Sequence, residues 1–208
     1  MNMKIAIIGT GNVGGTLAKA FNSAGHTVIL GVRNPDSYKG KETLEAAGLK
    51  ALEIHRAVEG ADLLVLATPA TSAIEVAKSL GDTTGKIIID TMNVVMGRGP
   101  EGYSNTTDAI LSNTTATDVV KCFNTTGFEN MADPVYQGKG IDMFVAGSSD
   151  RGKKAASQLA RDIGFGAVHD MGGNDKFFLI EQLANAWINL AIFQGEGRDM
   201  AFRLVRRS

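Results

Sequence analysis

The chain has 208 residues, 44% of them apolar, with 21 basic and 22 acidic side chains and a net charge of −1. That length suits one domain with room for a small appendage, and the near-zero charge gives no electrostatic case for nucleic acid or an acidic membrane surface. One cysteine, Cys122, excludes an internal disulfide framework, and no apolar run approaches the roughly 18 residues of a membrane span.

Met3 to Ile8 is a short apolar run that reads as a buried strand. It enters Gly9-Thr10-Gly11-Asn12-Val13-Gly14, a G-x-G-x-x-G. Apolar residues at Val13, Leu17, Ala20 and Phe21 then keep helical spacing as far as Ala24. Gly25-His26 breaks that helix, and Thr27 to Val32 reads as a second strand. A strand, a glycine turn, a helix and a second strand together make a dinucleotide-binding unit. Gly9 allows the tight turn, Gly11 the approach of a pyrophosphate, and Gly14 the close packing of helix on strand. The helix N-terminus offers free N–H groups to the phosphates.

The tip of the second strand selects the dinucleotide. A carboxylate about 20 positions past the glycines would take the ribose hydroxyl of NAD. Here the tip is Gly31-Val32-Arg33-Asn34-Pro35. Arg33 offers a fork of donors to an adenosine 2′-phosphate, with Thr10 and Asn34 adding hydrogen bonds, so NADP(H) is expected. The alternative is a solvated Arg33, with Asp36 on the ribose.

Further along, Ser37 to Ala47 reads as a loop and a short helix, Leu49 to Ile54 as a short strand, and His55 to Gly60 as a one- or two-turn helix. Asp62 to Ala67 is a buried strand ending at Thr68-Pro69-Ala70. A helix over Thr71 to Leu80 and a strand over Lys86 to Asp90 follow. The alternation calls for an α/β fold, a Rossmann-type doubly wound parallel sheet with helices on both faces. Thr91 to Thr117 reads as a polar loop over the ligand with a helix around Asp108 to Leu111. Strands are expected at Asp118 to Phe123, Ile141 to Ala146 and Ala167 to Asp170, with a helix over Arg151 to Ile163. The division expected is a dinucleotide-binding domain over 1–170 and a small C-terminal helical part over 171–208.

From Asp175 to Gln194 the polar residues Glu181, Gln182, Asn185 and Asn189 form one narrow stripe, and Phe177, Phe178, Ile180, Leu183, Trp187, Ile192 and Phe193 occupy the rest. Such a helix must be covered on more than one side, so a homodimer through the 175–194 helix is expected. Burial within a single chain is the other solution. Arg203, Arg206 and Arg207 read as a solvated end, and Cys122 as a small buried hydrophobe.

Ligands of a doubly wound sheet bind beyond the carboxyl ends of its strands. Those ends are Thr68-Pro69-Ala70, Thr91-Met92-Asn93-Val94 and Asn124-Thr125-Thr126-Gly127, with no His, Lys or paired carboxylate, and no metal-ligand cluster appears. His26 lies in a turn far from the reacting end, and His169, beside Asp170, reads as a surface turn. Carbonyl reduction needs a proton donor, whereas hydride transfer between a nicotinamide and a flavin-like ring needs mainly stacking of the two rings. Asn93 and Asn124 suit orientation of the nicotinamide amide or the second ring, or else loop capping. No catalytic side chain is named. The expected cofactor-binding set is Gly9, Thr10, Gly11, Asn12, Val13, Gly14, Arg33, Asn34, Thr68, Pro69, Asn93 and Asn124.

The glycine motif, the Gly31–Pro35 tip, Val119-Val120-Lys121-Cys122-Phe123-Asn124-Thr125 and the closing Ala201-Phe202-Arg203-Leu204 resemble the NADPH-dependent deazaflavin-coenzyme reductases over nearly the whole chain. The same motifs resemble the oxidoreductase domain of the six-transmembrane metalloreductases. The resemblance implies a dimeric enzyme that moves a hydride between NADP(H) and a small-molecule electron acceptor, and the cytoplasm is the location expected from a sequence that reads without a signal peptide or membrane span. That acceptor would be an 8-hydroxy-5-deazaflavin, FMN or FAD. It also implies that Thr10 and Arg33 hold the 2′-phosphate. The chain departs from the archaeal deazaflavin enzymes at Asn124 and Gly127, where those carry His and Pro, and at Val32, where they carry Ser. A reductase of a small hydroxy or imino acid, or a non-catalytic NADP(H) sensor, are the other classes that fit.

Overall fold

The computed structural model describes residues 2–207. Its first six sheet strands are β1 (Lys4–Ile8), β2 (Thr27–Val32), β3 (Lys50–Glu53), β4 (Leu63–Leu66), β5 (Ile87–Asp90) and β6 (Asp118–Cys122). The helices between them are α1 (Asn12–Ser23), α2 (Lys41–Ala46), α3 (Ile54–Glu59), α4 (Ala73–Ser79) and α5 (Thr106–Ser112). Each strand lies near its expected position. α1 begins at Asn12 because Gly11 is itself the N-cap and the last residues of the motif form the first helical turn.

After β6 come α6 (Phe128–Ala132) and a small hairpin, β7 (Val135–Tyr136) with β8 (Lys139–Gly140). β9 (Met143–Ala146), α7 (Asp150–Asp162), β10 (Val168–Asp170) and α8 (Phe177–Ile188) complete the chain of elements, and α8 runs on as a π-helical turn over Asn189–Phe193.

The sheet order is β10-β9-β6-β5-β4-β1-β2-β3. β1 to β6 are parallel, and the order reverses between β1 and β4, the switch point beside which such sheets bind ligands. The parallel sheet expected from the sequence needs one correction: β9 runs antiparallel to β6, and β10 follows β9. A parallel return requires a crossover on a sheet face. Here α6 packs on α1 and the hairpin follows, so the chain stays at the carboxyl end of β6 and β9 runs back down.

Both faces of the sheet are covered, which explains why its strands read as runs rather than alternations. Ile5, Ile7, Leu63, Val65, Val120 and Cys122 meet Leu17 and Phe21 of α1, Met131 of α6 and Leu159 of α7. Ala6, Ile8, Leu64, Leu66, Ile88 and Val119 meet α3, α4 and α5 on the other side. α8 lays Phe177 and Ile180 on Phe144 and Ala146 of β9. A final strap then crosses back over the molecule. Met200 O accepts from Trp187 Nε1 and Asn130 Nδ2, and Leu204 N donates to Asp142.

Only part of the polar stripe on α8 turns inward: Glu181 is 1% exposed and Asn185 half-buried, but Gln182 and Asn189 are exposed, as are Phe178 and Phe193 at 53% and 57%. No helix among the described residues is long and apolar enough to cross a membrane.

Candidate functional site

The three motif glycines have different reasons to be glycine. Gly9 has φ +101°, and a Cβ on it would lie 2.5 Å from Ala67 O. A Cβ on Gly14 would lie 1.9 Å from Gly9 O. The fold itself therefore demands both. A Cβ on Gly11 would meet nothing within 4 Å. The protein leaves open space there, at the uncapped N-terminus of α1, where a pyrophosphate needs the backbone bare. Asn12 and Val13 open the helix beside that space, Asn12 exposed and Val13 half-buried.

Thr68 packs against the same turn: its methyl would lie 2.9 Å from a Cβ on Gly9, and its hydroxyl donates to Met92 Sδ. Pro69, exposed, begins the short turn into α4.

Arg33 stands exposed at the tip of β2 with no hydrogen bond or ion pair to any of the described residues. Asn34 Oδ1 accepts from Asp36 N at 2.9 Å, a local turn that bends the following loop back. The loop returns to the glycine turn: a Cβ on Gly40 would lie 3.8 Å from Thr10 O. Tyr38, in this loop, has a buried hydroxyl with no partner among the described residues, and burial, with Glu45 nearby, pushes its ionisation up.

At the other end of the site Asn93 and Asn124 interlock. Asn93 Nδ2 donates to Asn124 O at 2.8 Å, and Asn124 Nδ2 donates to Asn93 Oδ1 at 2.9 Å. They cap each other rather than their own loops. Asn124 is 4% exposed, yet its Oδ1 accepts nothing from the described residues. A buried carbonyl without a donor is costly, about 1–3 kcal/mol, and a ligand N–H would relieve it. The preceding Phe123 holds φ +59°, a left-handed conformation that is strained for an aromatic residue. Edge-to-face packing on Phe21 and Phe165 holds it there, and the chain turns so that Asn124 reaches Asn93.

One constellation was missed at the sequence level. Asp90 and Lys121 are register partners on β5 and β6, and Glu181 of α8 joins them, all at most 1% exposed. Lys121 Nζ lies 2.7 Å from Asp90 Oδ2, 2.8 Å from Glu181 Oε1 and 2.7 Å from Met92 O. Asp90 also accepts from Thr106 and Thr107 hydroxyls and Met92 N, and Glu181 from Val94 N and Thr106 N. The carboxyl ends of β5 and β6 therefore hold a carboxylate and a lysine, joined there by Glu181 of α8, contrary to expectation. They are saturated with one another and sealed from solvent, so they fix the loop that presents Asn93 rather than exchange protons with a ligand. The available signal was a lysine inside the apolar run Val119–Phe123, which must find a buried partner.

The remaining candidates separate cleanly. His26 pairs with Asp162 at 3.2 Å beside the start of β2, at the opposite end of the sheet. His169 pairs with Asp142 at 2.8 Å, not with Asp170, which binds Lys153. Burial pushes the Cys122 thiol up to about 12, as suits a core residue. No group of His, Cys, Asp or Glu among the described residues is placed to hold a metal.

Comparison with known proteins gives this geometry a context. Residues 4–94 match the family described as NADP oxidoreductase, coenzyme F420-dependent. A candidate F420-dependent NADP reductase from Arthrobacter sp. FB24 superposes with a TM-score of 0.85 at 27% identity, over 99% of this chain and 100% of that one. A hypothetical protein from Sinorhizobium meliloti follows at 0.72 and 26%, over 100% and 97% of the two chains. A pyrroline-5-carboxylate reductase from Coxiella burnetii shares the fold alone, with a TM-score of 0.68 at 16% identity, over 94% of this chain and 68% of that one. These matches bear out the family resemblance and the reading of the chain as an NADP-dependent oxidoreductase.

Proposed function

We propose that this chain, whose first half matches the F420-dependent NADP oxidoreductases, transfers a hydride between NADP(H) and a flat-ring acceptor, a deazaflavin or a flavin. The observation that carries the reading is the Asn93–Asn124 pair at the carboxyl ends of β5 and β6. It offers a buried, unpartnered carbonyl oxygen, while the nearby Lys121, Asp90 and Glu181 are closed off from any substrate. A carbonyl or imine substrate needs a proton in the transition state, and no accessible group there supplies one. A ring-to-ring hydride transfer needs position instead.

When bound, the dinucleotide supplies the hydride, and the chain supplies the rest. The backbone of Gly9 to Gly14 and the N-terminus of α1 hold the pyrophosphate. Arg33, with Thr10 and Asn34, holds the 2′-phosphate. Thr68 and Pro69 wall the middle of the cleft. Asn93 and Asn124 orient the nicotinamide amide or the second ring. The apolar side of α8 left uncovered at Phe178, Leu179, Ile192 and Phe193 supports a homodimer through this helix.

The test is binding and turnover in parallel. Arg33→Ala should weaken NADPH binding by about 10- to 100-fold, the worth of a charge-assisted pair of about 1.5–3 kcal/mol, and leave NADH within about twofold. Equal losses for both would overturn the NADP assignment. NADPH oxidation is then followed with the deazaflavin, FMN and FAD. Turnover with any of them supports the hydride reading, and tight NADPH binding without turnover favours a sensor.

A further inference from the structure

A second cleft, of about 570 Å³, opens at the free edge of the sheet beside β9 and β10. It lies six strand positions from β2 and Arg33, on the order of 29 Å at about 4.8 Å per strand. Its floor is a close backbone approach. A Cβ on Gly140 would lie 2.5 Å from Gly166 N, and one on Gly166 would lie 2.5 Å from Gly140 O. Its wall is Asp142, 6% exposed, whose Oδ2 accepts from Leu204 N at 2.7 Å and meets His169 Nε2 at 2.8 Å. That one carboxylate fixes both the strap and the imidazole. With Nε2 engaged and the ring tilted on Phe144, Nδ1 is the ring nitrogen without a partner among the described residues.

The rim is basic. Lys139, Arg203 and Arg206 line the opening, and none pairs with a carboxylate among the described residues. The single acid in the lining, Asp142, is already met by a peptide N–H and an imidazole. Three fixed positive charges thus face one compensated negative charge, in a protein whose net charge is −1.

We propose that this cleft is a binding site for a small oligoanion, a molecule carrying two or more phosphate or carboxylate charges. The volume falls in the range of small-molecule sites. Two guanidinium forks and an ammonium lining one cleft match clustered oxyanions and leave little to recognise a neutral molecule. The site is separate from the hydride chemistry and does not depend on the identity of the acceptor.

The test is calorimetric titration of the full-length protein, saturated with NADP⁺, with pyrophosphate and with citrate at low salt. One site per chain is expected for at least one anion, and the anion preferred tells phosphate from carboxylate chemistry. Arg203→Ala/Arg206→Ala should weaken that binding about tenfold or more, and Lys139→Ala in the same direction, since all three side chains are exposed and their loss leaves the fold intact. Arg33→Ala should leave it unchanged. No saturable binding of either anion, equal affinity in the double variant, or loss in Arg33→Ala would each overturn the proposal.

Discussion

A methyl group on Gly11 should separate the cofactor seat from the fold. Gly11 has φ −70° and ψ −167°, extended backbone that alanine adopts freely, and its Cβ would stand in open space. Two small effects on stability oppose each other. Stiffening the unfolded chain gains about 0.4–1 kcal/mol, and alanine is a poorer N-cap than glycine by a similar amount. For a chain of this size each kcal/mol moves Tm by about 2–4 °C, so Gly11→Ala should melt within about 3 °C of the parent. The same methyl group occupies the space a pyrophosphate needs. Loss of two amide–phosphate hydrogen bonds, at about 1.5–3 kcal/mol each, weakens NADPH binding more than about 100-fold. Gly14→Ala reverses the pattern. Its Cβ would stand 1.9 Å from Gly9 O, so α1 must move off the turn, at a cost of about 1–3 kcal/mol or more and several degrees of Tm. Thermal melts and fluorescence titration with NADPH read both quantities. Gly11→Ala that binds NADPH like the parent, or melts as low as Gly14→Ala, would refute the reasoning.

Three further expectations follow from the acceptor half. Lys121→Met leaves Asp90 and Glu181 buried without their cation; a cost of about 3–5 kcal/mol should lower Tm by about 6–20 °C, and a shift under 2 °C by calorimetry would count against the cluster. Burial pushes Glu129 up, but the fork from Arg198 and that charge prevail and hold it below the ordinary glutamate value. Its contribution to docking the strap is thus fully present above that ordinary value and is lost as pH falls through the depressed one. The one tryptophan, Trp187, lies under Arg198 and should report an acid transition in its emission that Glu129→Gln abolishes; an unchanged transition would place the titrating group elsewhere. Light scattering should give about twice the 21.9 kDa chain mass, and Phe178→Ser/Phe193→Ser should give a monomer; a monomeric parent would remove the dimer.

Much of this architecture is legible in the sequence because of how it is buried. Strands covered on both faces leave unbroken apolar runs, such as Leu63–Leu66 and Ile87–Ile89, and their positions could be read directly. The direction of β9 could not, because Met143–Ala146 has the same apolar run whichever way it points. Its direction is set by α6 and the hairpin, hidden in a polar stretch with no periodicity. At the site, the glycines and Arg33 follow from local motif logic. The role of Glu181 does not, since its partners lie 60 to 87 residues away in the chain and are joined only by sheet register and the docking of α8. The basic cleft was illegible for the same reason: Arg203 and Arg206 read as a solvated end until Asp142 tied the strap to β9.

The buried cluster also explains how two differently constrained halves act as one site. The family match ends at residue 94, and Val94 donates its N–H to Glu181 while its carbonyl accepts from Asn185. The last residues of the cofactor half are thus fixed by the helix that carries the uncovered apolar face. Asn93 sits one residue before that anchor, and Lys121 holds the carbonyl of Met92 one residue further back. Glu181 thus ties the position of α8 to the backbone on both sides of Asn93, directly at Val94 and through Lys121 at Met92. Buried ion clusters stabilise little compared with apolar packing, but breaking one leaves an uncompensated buried charge, so this one holds its partners in register. Under the ring-to-ring transfer proposed above, where position matters more than a proton donor, the charges at the strand ends are what fix where Asn93 and Asn124 stand.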